Sequence, residues 1–186
     1  MLATMLLAMA NPADYGLGPE WQLVADPRAD IMSGHIECES PDHLAKTCDG
    51  MGFYEADENG VITSSALIPI NNEPSVAVAF DLAVLVDGSK VCGRPVQADF
   101  DRMFLLVGKE KHESSAGEAL LAAFRDGLAD MFGNKQVCSQ AFANGDRRFT
   151  AVTIDGVRAP ELEGESVWLT EDSGYVLRAE ENLLEE

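Results

Sequence analysis

His35, Cys38, His43 and Cys48 stand in the stretch HIECESPDHLAKTC at the spacing H-x2-C-x4-H-x4-C. Two imidazoles and two thiols at such intervals have the donor set of a tetrahedral zinc site. In an oxidising compartment the same two cysteines would instead close a short disulfide loop. Cys92 and Cys138 bring the cysteine count to four, an even number that suits a disulfide framework.

The spacing resembles that of a zinc knuckle with its first cysteine replaced by histidine, and the resemblance stops at the spacing. Recognition of single-stranded nucleic acid needs aromatic residues that stack and basic ones that neutralise phosphate. Here no aromatic residue lies between positions 35 and 48, Glu39 follows Cys38, and Asp42 precedes His43. The disulfide reading is therefore the expectation. Local closure favours the pairs Cys38–Cys48 and Cys92–Cys138, and no metal or cofactor is expected.

Other chemistry finds little support. His112 lies in Lys109-Glu110-Lys111-His112-Glu113, a charged linker where a solvated loop residue is the ordinary reading. His43 beside Asp42, with Ser33 or Ser40 near in sequence, has the residue types of a nucleophilic triad, but sequence adjacency does not create its geometry. No H-E-x-x-H, G-x-S-x-G, P-loop or C-x-x-C occurs, and Gly16-x-Gly18 is followed by Trp21 where a dinucleotide loop wants glycine. With Glu55 as the first position of a calcium loop, Asp57, Asn59 and Gly60 fall correctly, but the twelfth position is Ala66, where a bidentate Glu is required. A carboxylate pair for glycoside hydrolysis has no specific residues among the 32 acids. In Arg147-Arg148, strand alternation turns one arginine away from the sheet's core, and it reads as a surface residue pairing with acidic surroundings rather than as an anion site. The sequence therefore names no catalytic residue.

Thirteen Lys and Arg against 32 Asp and Glu give a formal charge of -19. Nucleic acids and anionic membranes should be repelled, and solubility is the commoner cause of such acidity. The acids Glu161, Glu163, Glu165, Glu180, Glu181, Glu185 and Glu186 read as solvated surface and tail.

The chain opens MLATMLLAMANPADYG, with an apolar run Leu2–Ala10 and small residues, Ala8 and Ala10, at the -3 and -1 positions of a cleavage before Asn11. No Lys or Arg precedes the run. Residues 1–10 are expected to be a signal-peptide remnant, and 11–186 a single α+β domain with an acidic C-terminal tail. The run is too short for a membrane helix, which needs about 20 residues, and no later segment qualifies. Periplasmic or secreted localisation follows.

The elements that must position any site are mostly strands. Trp21 should anchor a turn-rich arm onto the body. Ala29–Glu37 reads as a first strand, and the Asp57-Glu58-Asn59-Gly60 turn as a hairpin between Phe53 and Thr63. Val76–Val86 is a long strand turning at Asp87-Gly88 into Lys90–Cys92. Apolar residues at 100, 103, 104 and 107 predict a helix over Gln97–Leu106. Ser115-x-x-Glu118 is a capping box for a second helix running to Phe132. Strands follow at Gln136–Phe142, Arg147–Ile154, Ser166–Thr170 and Tyr175–Arg178, with turns at Asn144-Gly145 and Asp155-Gly156.

The expected fold is α+β: an antiparallel sheet built from hairpins, a central helical segment packed on one face, stapled by disulfides. The expected role is a secreted or periplasmic accessory protein, a binding or structural module without catalytic activity for an unknown protein or small-molecule ligand. The competing class is a periplasmic hydrolase with a site assembled from scattered residues. A deep pocket holding a His or carboxylate next to Ser would favour the hydrolase; a flat sheet face or apolar groove would favour binding.

Overall fold

Turn chemistry sets the local architecture. Asp87 pairs with Lys90 and Asn144 with Arg147, so each hairpin has a two-residue loop whose first residue is glycine. Gly88 at φ +60 and Gly145 at φ +61 supply the left-handed conformation that this turn demands at its first position. The glycines thus open the loops, one residue later than the Asp-Gly and Asn-Gly turns expected.

The computed structural model describes residues 10–58, 60–72, 75–108 and 110–178. The expected signal stretch up to Met9, Asn59 of the first hairpin, and the tail from residue 179 lie outside the described residues. Eight strands form the body: β1 Ile36–Glu39, β2 Gly50–Ala56, β3 Ile62–Asn72, β4 Ser75–Asp87, β5 Lys90–Gly93, β6 Val137–Asn144, β7 Arg147–Ile154 and β8 Gly164–Leu169. Each pairs antiparallel with the next in this series, and β8 pairs back to β1 through Ser166–Glu39, Val167–Cys38, Trp168–Glu37 and Leu169–Ile36. The ladder closes into an up-and-down barrel.

This corrects the α+β expectation. The structure is mostly strand, 46%, and the described residues hold only one helix of seven or more residues. Hairpin signals are the same in an open sheet and in a barrel. Closure depends on the β8–β1 and β5–β6 registers, which join residues far apart in sequence.

Two further expectations change. The predicted strand Ala29–Glu37 begins instead in a helical turn, α1, Arg28–Ile31, behind Pro27, whose fixed φ suits a helix start. Ile31 is 3% exposed and packs with Ile62, Val84 and Trp168, capping one end of the barrel. The predicted helix over Gln97–Leu106 stops early: α2 is Gln97–Asp101, and Phe104–Val107 is a strand paired to β4. Its apolar spacing is real, but Phe100 and Met103 reach the core from the turn and Leu105 reaches it from the strand.

That core lies beside the barrel. One half of the thirteen-residue β4 pairs with β5 inside the closed ladder, while Val76–Ala79 pairs with Phe104–Val107. The helix α3, Ser115–Phe132, covers this fork, and Leu121 joins Val78, Phe100, Met103 and Leu105. Its N-cap is Ser114, one residue before the expected box, with Oγ accepting from the Gly117 N–H at 3.1 Å. Arg125 of α3 donates to the carbonyls of Phe100 and Met103 at 3.1 and 3.0 Å, tying α3 to the end of α2. On the barrel's opposite flank, the arm packs Trp21 against Phe142 and Ala151.

Two disulfides are present, Cys38–Cys48 and Cys92–Cys138. Cys92 and Cys138 are register partners on β5 and β6, with Cα atoms 4.1 Å apart. Their bridge staples the seam that closes the barrel after the chain has left it for the helical insertion. Cys38 and Cys48 are both fully buried, on the outer side of β1 and β8 with Val167, Met51 and Tyr175. On the chain-entropy model a loop with a sequence separation of 46 contributes about 4 kcal/mol and one with a separation of 10 about 3 kcal/mol. The double substitution Cys92→Ala, Cys138→Ala should therefore melt below the Cys38→Ala, Cys48→Ala protein in thermal denaturation. Equal or inverted melting temperatures would mean that the seam holds without its staple.

Candidate functional site

Alternation along a strand decides which residues enter the lumen. In β1 the apolar Ile36 and Cys38 point outward, and Glu37 and Glu39 point inward. Their partners on β2 are Gly52 and Gly50, so at two successive inward positions the opposing strand presents no side chain. A Cβ on Gly50 would sit 2.7 Å from Glu39 Oε2, and one on Gly52 would sit 3.4 Å from the Glu37 Cβ. The glycines make the space that the glutamates occupy.

The cavity so formed measures about 450 Å³. Ile31, Val91, Val152 and Trp168 give it apolar surface, while Glu37, Glu39, Ser139, Thr150 and Ser166 give it polar groups. This volume is within the range of small-molecule sites, and an eight-stranded barrel is wide enough for one small ligand. A second hollow of about 430 Å³ lies on the outer wall between the arm and β6, lined in part by Tyr15, Leu23, Lys90 and Gln140.

Glu37 is held by hydroxyls from three strands. Tyr54 Oη donates to Oε2 at 2.9 Å, Ser166 Oγ donates to Oε1 at 3.1 Å, and Thr150 Oγ1 makes a longer contact at 3.5 Å. Ser166 is the one buried polar residue among those described, at 2% exposure, and this bond satisfies it. Tyr54 also stacks on Trp168, with centroids 5.6 Å apart and planes 16° from parallel, worth about 0.5–1.5 kcal/mol beyond area burial. Burial, and next the charge of Glu37, push the Tyr54 phenol well above its ordinary range, so it remains a donor.

Glu39 differs. Its side chain keeps contact with water at the cavity's open end, yet has no hydrogen-bond or ion-pair partner among the described residues. Surrounding protein, then the like charges of Glu37 and Asp49, push its carboxyl up to about 7.

Of the residues marked from the sequence, Ser40 lines the cavity, whereas the cysteines and histidines do not. Cys38 and Cys48 share a disulfide, so neither offers a thiolate to a metal. His43 Nδ1 lies 2.7 Å from Tyr175 Oη, and His112 Nε2 lies 2.9 Å from Ser114 Oγ. None of the three histidines lines the cavity. Arg147 forms a fork with Glu165 at 2.6 Å and lies over Trp21, whereas Arg148 reaches Asp30 at 3.4 Å with its Nε unpartnered. Glu37, Glu39, Tyr54, Ser166 and Trp168 were not foreseen. Their one sequence signal is the match in period between Glu37-x-Glu39 and Gly50-x-Gly52.

No protein-family model matches the chain, no curated protein matches its sequence, and no solved structure matches its fold.

The raised pKa of Glu39 has a stability consequence. The folded state favours the protonated form, a contribution fully present below the ordinary value of 4.5 and lost as pH rises through about 7. The groups facing Glu39 are Glu37 on its own strand, Asp49 at the entry to β2, and Tyr54 on β2. Glu39→Gln, neutral at every pH, should therefore gain melting temperature over the native protein at about pH 8 and gain less at about pH 5. A gain independent of pH would mean that Glu39 carries no such burden.

Proposed function

We propose that the chain is a binding module that takes one small molecule into the lumen of its barrel. The carrying observation is the pairing of Gly50 and Gly52 with Glu39 and Glu37, which opens a cavity of about 450 Å³ where a barrel of this size could have filled with side chains. Both ends support the reading: α1 and Ile31 close one, and exposed residues including Glu39 and Ser40 line the other.

The hydrolase reading has one observation in its favour, a carboxylate next to a serine at the Glu37–Ser166 contact. It is the weaker of the two. That serine hydroxyl is committed to Glu37, and Glu37 is shared with Tyr54, so the group set is that of a rigid wall rather than of a nucleophile with its own base.

Export into an oxidising compartment is part of the proposal. The two disulfides suit it, as does the apolar opening of the sequence. No helix among the described residues is long and apolar enough to cross a membrane. A charge of -19 argues against a nucleic-acid partner.

Ala141 lines the cavity from β6, so Ala141→Phe would fill the lumen. Following the Trp168 indole resonance while titrating a mixed fragment library should yield saturable binders to the native protein. These should lose their effect in Ala141→Phe, with its melting transition retained. Binders that leave Trp168 untouched, or bind the filled variant equally, would move the site out of the lumen.

A further inference from the structure

The acids lining the lumen divide by their partners. Asp30 meets Arg148 at 3.4 Å, Glu163 meets Arg158 at 2.6 Å, and Glu165 meets Arg147 at 2.6 Å. Glu37, Glu39 and the exposed Glu161 meet no cation among the described residues: hydroxyls alone reach Glu37, and no side chain reaches Glu39. The cavity lining contains no Lys or Arg. The two inward carboxylates thus share a partly enclosed space with the Trp168 ring and the apolar surface of Ile31, and the cation on the same face of β7 as Thr150, Arg148, is bound by Asp30 rather than by either of them.

A bound molecule of matching chemistry would supply it. A neutral polyol would leave both carboxylates without a cation in a space it had emptied of water, which is costly. A divalent metal needs several oxygen ligands converging on one point, and among the described residues no three His, Cys, Asp or Glu side chains are placed to hold one. An ammonium group is compact, and its attached carbons are compatible with an aromatic wall, whose ring face attracts a cation. From this complementarity we infer that the lumen takes an organic monocation, an ammonium with an apolar body, its nitrogen at Glu39 and its carbons against Trp168 and Ile31. The inference rests on the lumen being the ligand site and adds the class of ligand.

Choline and 3,3-dimethylbutanol have the same shape and differ in the charge of one atom, so they isolate that class. Each is titrated into the full chain while the Trp168 indole resonance is followed, with Trp21→Phe used to assign it and calcium chloride as a third probe. Choline should bind at least tenfold more tightly than the alcohol, and calcium should leave the resonance in place. Glu39→Gln should bring choline down to the level of the alcohol. Equal or tighter binding of the alcohol, no response to choline, a response to calcium, or a choline preference that survives Glu39→Gln would each overturn the inference. The choline comparison on the native chain stands even if Glu39→Gln fails to fold. An alcohol that shifts Trp168 while choline does not would end the cation reading and keep the lumen as a site. Silence from both, together with no fragment lost on Ala141→Phe, would end both.

Discussion

The structure depends on one closure, the pairing of β5 with β6. β5 has only four residues, yet it must complete the hydrogen bonds of β4 on one side and β6 on the other. Between β5 and β6 the chain departs through residues 94–136, and bringing it back carries the entropic cost of a long loop. Left unmade, that pairing would expose two strand edges, which invite association with other chains. The Cys92–Cys138 bridge ties register partners at this seam, and the insertion secures the same region by packing Phe100, Met103 and Leu121 against Val78 of β4. Closure in turn makes an inside, and the lumen has no meaning in an open sheet.

Once there is an inside, the apolar and polar faces of β1 are inverted relative to an ordinary half-buried strand. Ile36 and Cys38 point out, and the protein covers this outer face with its own chain. Cys48 and Tyr175 lie over Cys38, Met51, Val167 and Leu169, and Val176–Leu177 pairs with Thr47–Cys48. The short disulfide loop thus roofs an apolar outer wall, so that β1 can present carboxylates to the lumen. Arg178 extends the cover by pairing with Asp49 at 3.1 Å.

What could be read from the sequence was local. The Val76–Val86 strand, its return at Lys90, the long helix from residue 115 and the hairpin at Asn144-Gly145 carry their signals within a few residues, and they are where expected to within a residue or two; Val176–Leu177 instead leaves the last expected hairpin to pair with Thr47–Cys48. The failures have physical causes. Ala29–Ile31 lacks a decisive period, and Pro27 with the burial of Ile31 turned it into a helical plug. Phe100, Met103 and Leu105 satisfy a helical spacing while meeting one core from two different elements. Glu37 and Glu39 had the pattern of a solvated strand face, because alternation says which residues share a face and not which face is inside. Only the closure, a long-range property, assigns that.

The same inversion explains why the acids of this chain are not interchangeable. A charge of -19 on a surface is readily hydrated and screened, and pairs such as Arg147–Glu165 at about half exposure contribute little, about 0–1 kcal/mol. A carboxylate turned into a lumen loses much of that hydration, so its energy depends on what stands next to it. The barrel solves this for Glu37 with hydroxyls from β2, β7 and β8, neutral donors that satisfy its oxygens without cancelling its charge. It leaves Glu39 unsolved, beside two like charges, where Gly50 could have been any residue that excluded it. Folding alone gives no reason to keep that arrangement, since a pair of apolar residues at positions 39 and 50 would close the lumen and remove the repulsion. Under the proposed function the Glu39 charge is half of an interaction whose other half arrives with the ligand.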